Sequence, residues 1–391
     1  MMVQSESTSF LGGRLRIERV SGRRQLHRFV TFPWKVYAGD PNWVPPLIGD
    51  MKKMLTRHPF LEHAEVEYYL AYKGDEIVGR IAAIENRLHN EVHDEKVCFF
   101  GFFDILGAGE APARGAEIVA ALFAEVGRWA RERGLTILRG PASFSSNEEW
   151  GLLVDGFDSP PRIMMTHNPP GYVELLEGYG LRKAKDLLAY FLIVGGTPER
   201  MVRAAEKIAA RRGVTARPLD MKHYEEDVAR VREVYNRAWE KNWGFVPMTE
   251  AEITHFAKEM KPIVKPQYMI ILERGEEPVG FALGLPDANM ALIHANGRLF
   301  PFGLIKILWH ARKIDMLRIP ALGIVPELQG KGLDQLLYLR LFQAVAEHGI
   351  RGGEFSWILE DNHAMRQALV NMGAHVYKTY RIYERPLAAA V

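Results

Sequence analysis

Residues 322–334 read LGIVPELQGKGLD, an apolar run followed by a proline, two glycines and the start of an apolar, periodic segment. This pattern predicts a strand, a glycine-rich turn and a helix. Glycine lets the main chain approach a ligand closely, and the unpaired amides at a helix start attract anions. The stretch therefore predicts a phosphate-binding turn between a strand and a helix.

The residues on both sides of this turn alternate between strand and helix patterns. Such alternation predicts an α/β protein, with a mixed sheet covered by helices on its faces. In the C-terminal half, strands are expected near residue 214 and at 320–325, 354–359 and up to 386, and helices at 225–241, 250–258, 333–348 and 363–372.

A short passage occurs twice in the chain. Residues 68–84 read YYLAYKGDEIVGRIAAI and residues 269–285 read MIILERGEEPVGFALGL, with Gly, Glu, Val and Gly at matching positions. Each copy is an apolar run, a glycine turn and a second apolar run, which is typical of a β-hairpin. The sequence therefore predicts two copies of one α/β unit.

The chain has 391 residues, more than one hydrophobic core usually supports. We expect a disordered N-terminus at 1–13, a first domain at 14–197 and a second at 198–391. The boundary falls in Gly195-Gly196-Thr197-Pro198, where turn formers precede a proline.

Composition excludes several classes of function. The net charge is +2 and no dense Lys/Arg block is present, so nucleic acid is not an expected partner. Cys98 is the single cysteine, which excludes an internal disulfide and Cys-based metal clusters, and no metal is expected. No signal peptide or membrane span is recognised, so the expectation is a cytoplasmic protein.

The phosphate-binding turn resembles the signature of the GNAT (GCN5-related) acetyltransferases, Gln/Arg-x-x-Gly-x-Gly/Ala after a strand that ends in Val-x-Pro. Gln329, Gly332, Val325 and Pro326 carry the likeness, and Asn362, Met365 and Gly373 fit the helix that follows. The resemblance covers residues 214–387 and is more specific than a glycine loop alone. It implies two tandem GNAT-like domains.

The resemblance implies that acyl-CoA or acetyl-CoA is the co-substrate and that an amine attacks its thioester. Pantetheine is expected along one strand and the pyrophosphate on the turn. The implied binding residues are Leu322, Gly323, Ile324, Val325, Gln329, Gly330, Lys331, Gly332, Leu333, Asp334 and Asn362.

Candidate catalytic residues lie near these strands. Glu360 and Asp361 follow one strand and His294 is expected near the end of another, so each is a candidate base. Leu369 stands where many family members have a tyrosine acid, for which Tyr380 is the candidate replacement beside Tyr377 and Tyr383. Asp334 and Leu369 also favour an alternative, a non-catalytic acyl-CoA-binding or sensor protein.

The first domain lacks the phosphate-binding turn, because Glu110 and Pro112 stand where an anion would need free amides. It contains instead a long polar stretch at 140–169, and long loops inside compact domains are often functional. Tandem GNAT-like proteins use the cleft between their halves for the acceptor. Residues expected to line an acceptor site, or alternatively to cap turns and strands, are Asn147, Asp155, His167 and Asn168.

Residues 300–314 form an insertion between hairpin and turn that mixes apolar and basic side chains, a pattern typical of a short amphipathic helix. It could rest on the inner face of the membrane, line a tunnel for a long acyl chain, or pack on its own domain. The whole chain is also similar to a bacterial branch of tandem GNAT-like proteins that includes ceramide-synthase-like enzymes. That similarity implies a small-molecule or lipid amine, such as a sphingoid base, as acceptor; nothing in the sequence gives the oligomeric state.

Overall fold

The computed structural model describes residues 15–108, 112–193, 195 and 199–387. The expected disordered segment at 1–13 lies outside this range. So do most of the expected boundary at 195–198 and Glu110 of the first domain. Within the described part, no helix is long and apolar enough to cross a membrane.

The strands follow the predicted alternation closely. In chain order they are β1 (Leu15–Arg19), β2 (Ala64–Lys73), β3 (Glu76–Asn86), β4 (Val97–Ile105), β5 (Ile137–Gly140), β6 (Ala142–Ser143), β7 (Glu149–Trp150), β8 (Leu152–Asp155), β9 (Arg182–Ile193), β10 (Thr215–Pro218), β11 (Met269–Arg274), β12 (Glu277–Pro286), β13 (Met316–Ile324), β14 (Gly352–Leu359) and β15 (His375–Pro386).

The helices connect these strands and cover the sheet. In chain order they are α1 (Gly22–Thr31), α2 (Pro33–Val36), α3 (Ile48–Arg57), α4 (Arg87–His93), α5 (Pro112–Glu132), α6 (Tyr172–Gly178), α7 (Glu199–Arg212), α8 (Tyr224–Trp239), α9 (Glu250–Met260), α10 (Asn289–Leu292), α11 (Gly303–Ala311), α12 (Asp334–Glu347) and α13 (His363–Asn371).

One mixed sheet runs through both halves in the order β1-β2-β3-β4-β5-β15-β9-β14-β13-β12-β11-β10, and β8 adds to β15. The last strand, β15, therefore lies beside β5 of the first half, while β9 pairs with β14 of the second half. The two halves exchange their closing strands. Each half needs the other to complete its hydrogen-bonded edge, and the division at residue 197 remains a prediction.

The repeated passage forms the two predicted hairpins, β2–β3 and β11–β12, which turn at Gly74 and Gly275. Each hairpin leads through a third antiparallel strand to a helix with apolar residues at every fourth position. Such spacing puts these side chains on one helix face, which packs on the sheet. Buried examples are Ile118, Leu122 and Val126 on α5 and Leu337, Leu341 and Val345 on α12.

Three sequence expectations need correction. His294 lies in the 3-10 turn Ile293–Ala295 after α10, not near a strand end, because a short apolar run fits either a strand or a helix. Strand β13 begins at Met316, four residues before the expected start, since the charged Arg318 obscured its apolar pattern. The stretch at 140–169 is not one loop, because β6, β7 and β8 lie within it.

The strand exchange predicts that the two halves fold only together. Residues 1–197 and 198–391, produced separately, should show no cooperative thermal transition, because each leaves a long sheet edge open and exposes side chains such as Tyr380 and Ile382. Circular dichroism of the separate and co-expressed halves checks this.

The matched control is the full chain with a protease site inserted near residue 197. Cleaved after it has folded, this protein should remain one complex of two fragments. A sharp transition in either separate half would contradict the interdependence.

Candidate active site

The turn that the sequence predicts to bind phosphate contains a run of main-chain amides without a described acceptor. Between the short 3-10 turn Pro326–Leu328 and the start of α12, the five amides from Gly330 to Asp334 donate to no described residue. Gly330 and Gly332 have φ of 68° and 81°, which other residues adopt only with strain. The Gln329 side chain donates from Nε2 to the Ile324 carbonyl oxygen at 3.0 Å and holds the turn on β13.

An opening between two parallel strands leads to this turn. Strand β13 pairs with β14 only from Met316 to Ile319; beyond that point β14 stays with β9. On this side, the edge of β13 from Pro320 to Ile324 therefore has no strand partner in the described part of the chain. The predicted pantetheine residues, from Leu322 to Val325, lie along this free edge or directly after it.

The neighbouring helices shape this opening. A Cβ at Gly323 would lie 2.2 Å from the Trp239 ring of α8, so only glycine allows this packing. Asn362 is the N-cap of α13, where its Oδ1 accepts from the Met365 amide at 3.2 Å. Asn362 thus has a structural role at the predicted position.

A buried charged cluster lies where β13 and β14 separate. Arg318 and Glu354 are opposite each other in the strand register and are both fully buried, with Nε and Oε1 3.8 Å apart. Ser356 accepts from Arg318 Nε at 3.0 Å and donates to Glu354 at 2.5 Å. Tyr377 also donates to Glu354.

The first half reaches into this cluster through residues 161–165. Arg318 donates to the carbonyl oxygens of Ile163 and Met164 at 3.0 and 3.2 Å. Arg162 forms an ion pair of 2.9 Å with the buried Asp287, which also accepts from the Ile163 amide. These contacts fix a segment of the first half over the opening in the second.

The three tyrosines of β15 differ in their partners. Tyr377 donates to Glu354, and Tyr383 donates to Glu177 at 3.0 Å. Tyr380 is fully buried and its hydroxyl has no hydrogen-bond partner among the described residues. Burial, with Glu354 nearby, raises the pKa of Tyr380 well above 10, so it stays protonated and able to donate.

In the structure each of the three candidate bases has a side-chain partner. Glu360 pairs with Lys183 at 2.5 Å and Asp361 with Lys185 at 2.8 Å, both on the β9 side of β14. The hydrogen bond from Lys185 lowers the pKa of Asp361, which disfavours proton uptake. His294 stacks on His310 beside α11, and burial together with that histidine lowers its pKa.

The four expected acceptor residues do not converge either. Asn147 joins the halves, since it accepts from Tyr235 at 2.7 Å, and Asp155 lies exposed at the end of β8. His167 contacts Asp40 at 2.7 Å. Asn168 is buried and bonds the Leu153 amide and carbonyl, so it holds main chain in place.

Glu149, on β7 in the same polar stretch, is the acid that the sequence interpretation missed. No described residue donates a hydrogen bond to its carboxylate, and its charged neighbours are Arg80 and Asp104 of the first half and Arg318 of the second. Burial raises the pKa of Glu149 to about 7, while the two arginines oppose that effect. An unpaired carboxylate that titrates near neutral pH suits a general base.

Glu148, the neighbour of Glu149, differs from it in having hydrogen-bond donors for its carboxylate. Burial raises the pKa of Glu148 to about 7 as well, but its carboxylate accepts from the Ser145 amide at 3.0 Å and hydroxyl at 2.6 Å. Glu148 lies in the bend before β7, and these two hydrogen bonds turn its carboxylate back onto Ser145. The pair Glu148-Glu149 in a stretch otherwise rich in small residues was the available signal. Among the described residues no cluster of three or more His, Cys, Asp or Glu side chains could hold a metal ion.

Solved structures share this architecture across nearly the whole chain. A tandem GNAT protein from the clavulanic acid biosynthesis pathway matches 97% of this chain and 100% of its own, with a TM-score of 0.56 and 13% identity. A GCN5-related N-acetyltransferase from Sphaerobacter thermophilus matches 96% and 97%, with a TM-score of 0.51 and 13% identity. At this identity they show the fold alone, which is the predicted tandem GNAT fold.

Two sequence relatives are much more similar to this chain than these solved structures are. Protein YghO of Escherichia coli (strain K12) is 34% identical over 374 residues, which cover 93% of this chain and 94% of the relative. The bacterial ceramide synthase of Caulobacter vibrioides (strain NA1000 / CB15N) is 36% identical over 371 residues, covering 93% and 95%. No protein-family model matches the chain. The chain therefore has the tandem GNAT fold and belongs to the family of the bacterial ceramide synthase and Protein YghO.

Proposed function

We propose that this protein is an N-acyltransferase that moves an acyl group from acyl-CoA to the amine of a lipid, such as a sphingoid base. The observation that carries the proposal is the run of five free amides, Gly330 to Asp334, in the turn that follows β13 beyond the point where it separates from β14. The lipid acceptor is supported by the 36% identity to the bacterial ceramide synthase.

The turn and the strand edge fit the two parts of CoA. Free amides at a helix N-terminus suit a diphosphate, and the side chain of Asp334 is the one acid among them. The unpaired edge of β13 offers main-chain groups to the amides of a pantetheine arm, as an added strand would. Leu369 is fully buried in the core beside α12 and does not take part.

Glu149 and Tyr380, which both lie within electrostatic reach of Arg318, are the candidates for proton transfer. The amine nitrogen attacks the thioester carbonyl, a C–N bond forms, and the C–S bond breaks to release the CoA thiolate. We assign Glu149 as the base that removes the proton from the incoming ammonium. Tyr380 donates its proton to the thiolate, because burial keeps its hydroxyl protonated and no described residue accepts from it. The second proton that the nitrogen loses as the amide forms restores the Tyr380 hydroxyl.

The overall test is a thiol-release assay with acetyl-CoA and palmitoyl-CoA over a panel of amines, paired with calorimetric titration of each acyl-CoA. Release that depends on a sphingoid amine supports the proposal. Binding without release for any amine would instead support the alternative of a non-catalytic acyl-CoA-binding protein. An absence of binding would reject both functions.

The free amides predict a charge effect at Gly330. Gly330→Asp and Gly330→Asn place side chains of the same shape at the same positive φ, with comparable strain, and a Cβ there meets open space, so the two variants differ in charge. The aspartate should weaken CoA binding about tenfold more than the asparagine, because its charge repels the diphosphate. Tenfold in Kd corresponds to about 1.4 kcal/mol of binding free energy. Titration calorimetry measures this; equal affinities would show that the diphosphate binds elsewhere.

The assignment of Glu149 predicts a change in the pH–rate profile. In the wild type, kcat/KM should rise with pH and level off above about 7, as the carboxylate loses its proton. Glu149→Gln should lower kcat/KM at pH 8 by about a hundredfold or more and abolish this rise. Initial rates from pH 5.5 to 9 test the prediction.

The matched control is Glu148→Gln, which removes an adjacent acid with the same raised pKa but keeps an acceptor for Ser145. It should retain wild-type rates. A rise with pH that persists in Glu149→Gln would exclude Glu149 as the base.

The same burial predicts a stability effect that needs no substrate. Because burial raises the pKa of Glu149 from an ordinary value near 4.5 to about 7, wild-type stability falls as pH rises through that window, and the loss is complete above it. Glu149→Gln removes a cost of about 1–3 kcal/mol at pH 8. Its Tm should exceed the wild-type Tm more at pH 8 than at pH 5; an unchanged difference would show that Glu149 is well solvated.

A further inference from the structure

The insertion between β12 and β13 exposes a continuous set of large apolar side chains. Phe300, Phe302, Ile305 and Trp309 are 79%, 66%, 64% and 61% exposed, far above a typical apolar side chain in this protein. We call this surface the apolar face; its members are Leu299, Phe300, Phe302, Leu304, Ile305, Leu308 and Trp309. Contiguous exposed apolar surface of this kind usually marks an interaction site.

Main-chain contacts close the turn that carries the apolar face. Leu304 donates to the Leu299 carbonyl at 2.8 Å, and a Cβ at Gly303 would lie 1.7 Å from the Arg298 carbonyl oxygen, so the turn before α11 is tightly closed. Upstream, Asn296 accepts from Trp34 at 2.8 Å, which ties the insertion to α2 of the first half. Phe300 and Phe302 thus project from an ordered turn.

The charged side chains of the insertion are all basic. Residues 298–314 contain no acid, although acidic and basic residues are nearly balanced in the whole chain. Arg298, Lys306, Arg312 and Lys313 are exposed and form no ion pair with a described residue. The adjacent Asp315 is already paired with Arg351 at 2.5 Å. The apolar face is therefore bordered by free positive charge.

We propose that the apolar face docks the protein on an anionic lipid bilayer. Helix α11 has 9 residues, about 13 Å, which is too short to span a hydrocarbon core of about 30 Å but suits a helix lying in the interface. Aromatic side chains favour that depth, and the cations meet anionic headgroups. A second copy would instead bring the same positive charges together.

The segment just before the insertion contacts the residues of the first half that reach Arg318. Asn289 of α10 donates to the Pro161 carbonyl oxygen at 2.9 Å, and Asp287 holds Arg162. Ile163 comes two residues after Pro161, and its carbonyl oxygen accepts a hydrogen bond from Arg318 where β13 and β14 separate. The inference rests on the exposed surface and not on the proposed reaction, but it gives a lipid amine a short path to the cleft.

Sedimentation of the full chain with vesicles tests the proposal. Binding to vesicles of phosphatidylcholine with phosphatidylglycerol is expected, with weaker binding to phosphatidylcholine alone and at high salt. Phe300→Ser with Phe302→Ser should lower the partition coefficient at least about tenfold, because two large apolar side chains no longer insert. Quenching of tryptophan emission by brominated lipid should be lost in Trp309→Phe.

The matched control is Val92→Ser with Ile193→Ser, which removes two apolar side chains that are 49% and 70% exposed elsewhere. It should bind vesicles as the wild type does. Three results would each overturn the proposal: no binding to anionic vesicles, equal losses in both double variants, or a wild-type dimer that the phenylalanine variant dissociates without any vesicle binding. Vesicle binding without acyl transfer would leave it intact and count only against the proposed reaction.

Discussion

The ion pair between Arg318 and Glu354 is the constraint on which the arrangement of the two halves depends. Burying a guanidinium costs several kcal/mol unless its charge and its donors are matched. Burial lowers the pKa of Arg318, while Glu354 opposes this, and the remaining donors are satisfied by Ser356 and by two carbonyls of the first half. Removal of the first half would leave these donors unmet, so the opening between β13 and β14 has its shape only in the assembled chain.

The strand exchange has the same consequence for the cleft. Glu149 comes from the first half, Tyr380 from the last strand and Arg318 from the second half, and β15 lies between β5 and β9. The exchange brings these groups to one region although they are far apart in sequence. One arginine from each half partly offsets the burial of Glu149, which keeps its pKa near neutral and not higher.

Local patterns predicted the fold well, but the partners of each side chain were beyond them. The repeated hairpin, the glycine turn and the helix spacing depend on neighbouring residues, and all three are confirmed. From the sequence, Glu360 and Asp361 look like free acids. Their partners Lys183 and Lys185 lie 177 and 176 residues away in the chain, so no local pattern reveals the ion pairs. The signal for Arg318 and Glu354 was present, because a charge inside a buried apolar strand requires a buried partner.

The insertion and the phosphate-binding turn lie at opposite ends of β13, which separates the proposed routes of two unlike substrates. The strand has 9 residues, about 30 Å, with the insertion before Met316 and the turn after Ile324. A water-soluble CoA would approach the turn, whereas a membrane-bound amine would approach from the apolar face. Arg318 lies two residues after Met316, so along the strand the buried charged cluster is nearer to the insertion than to the turn.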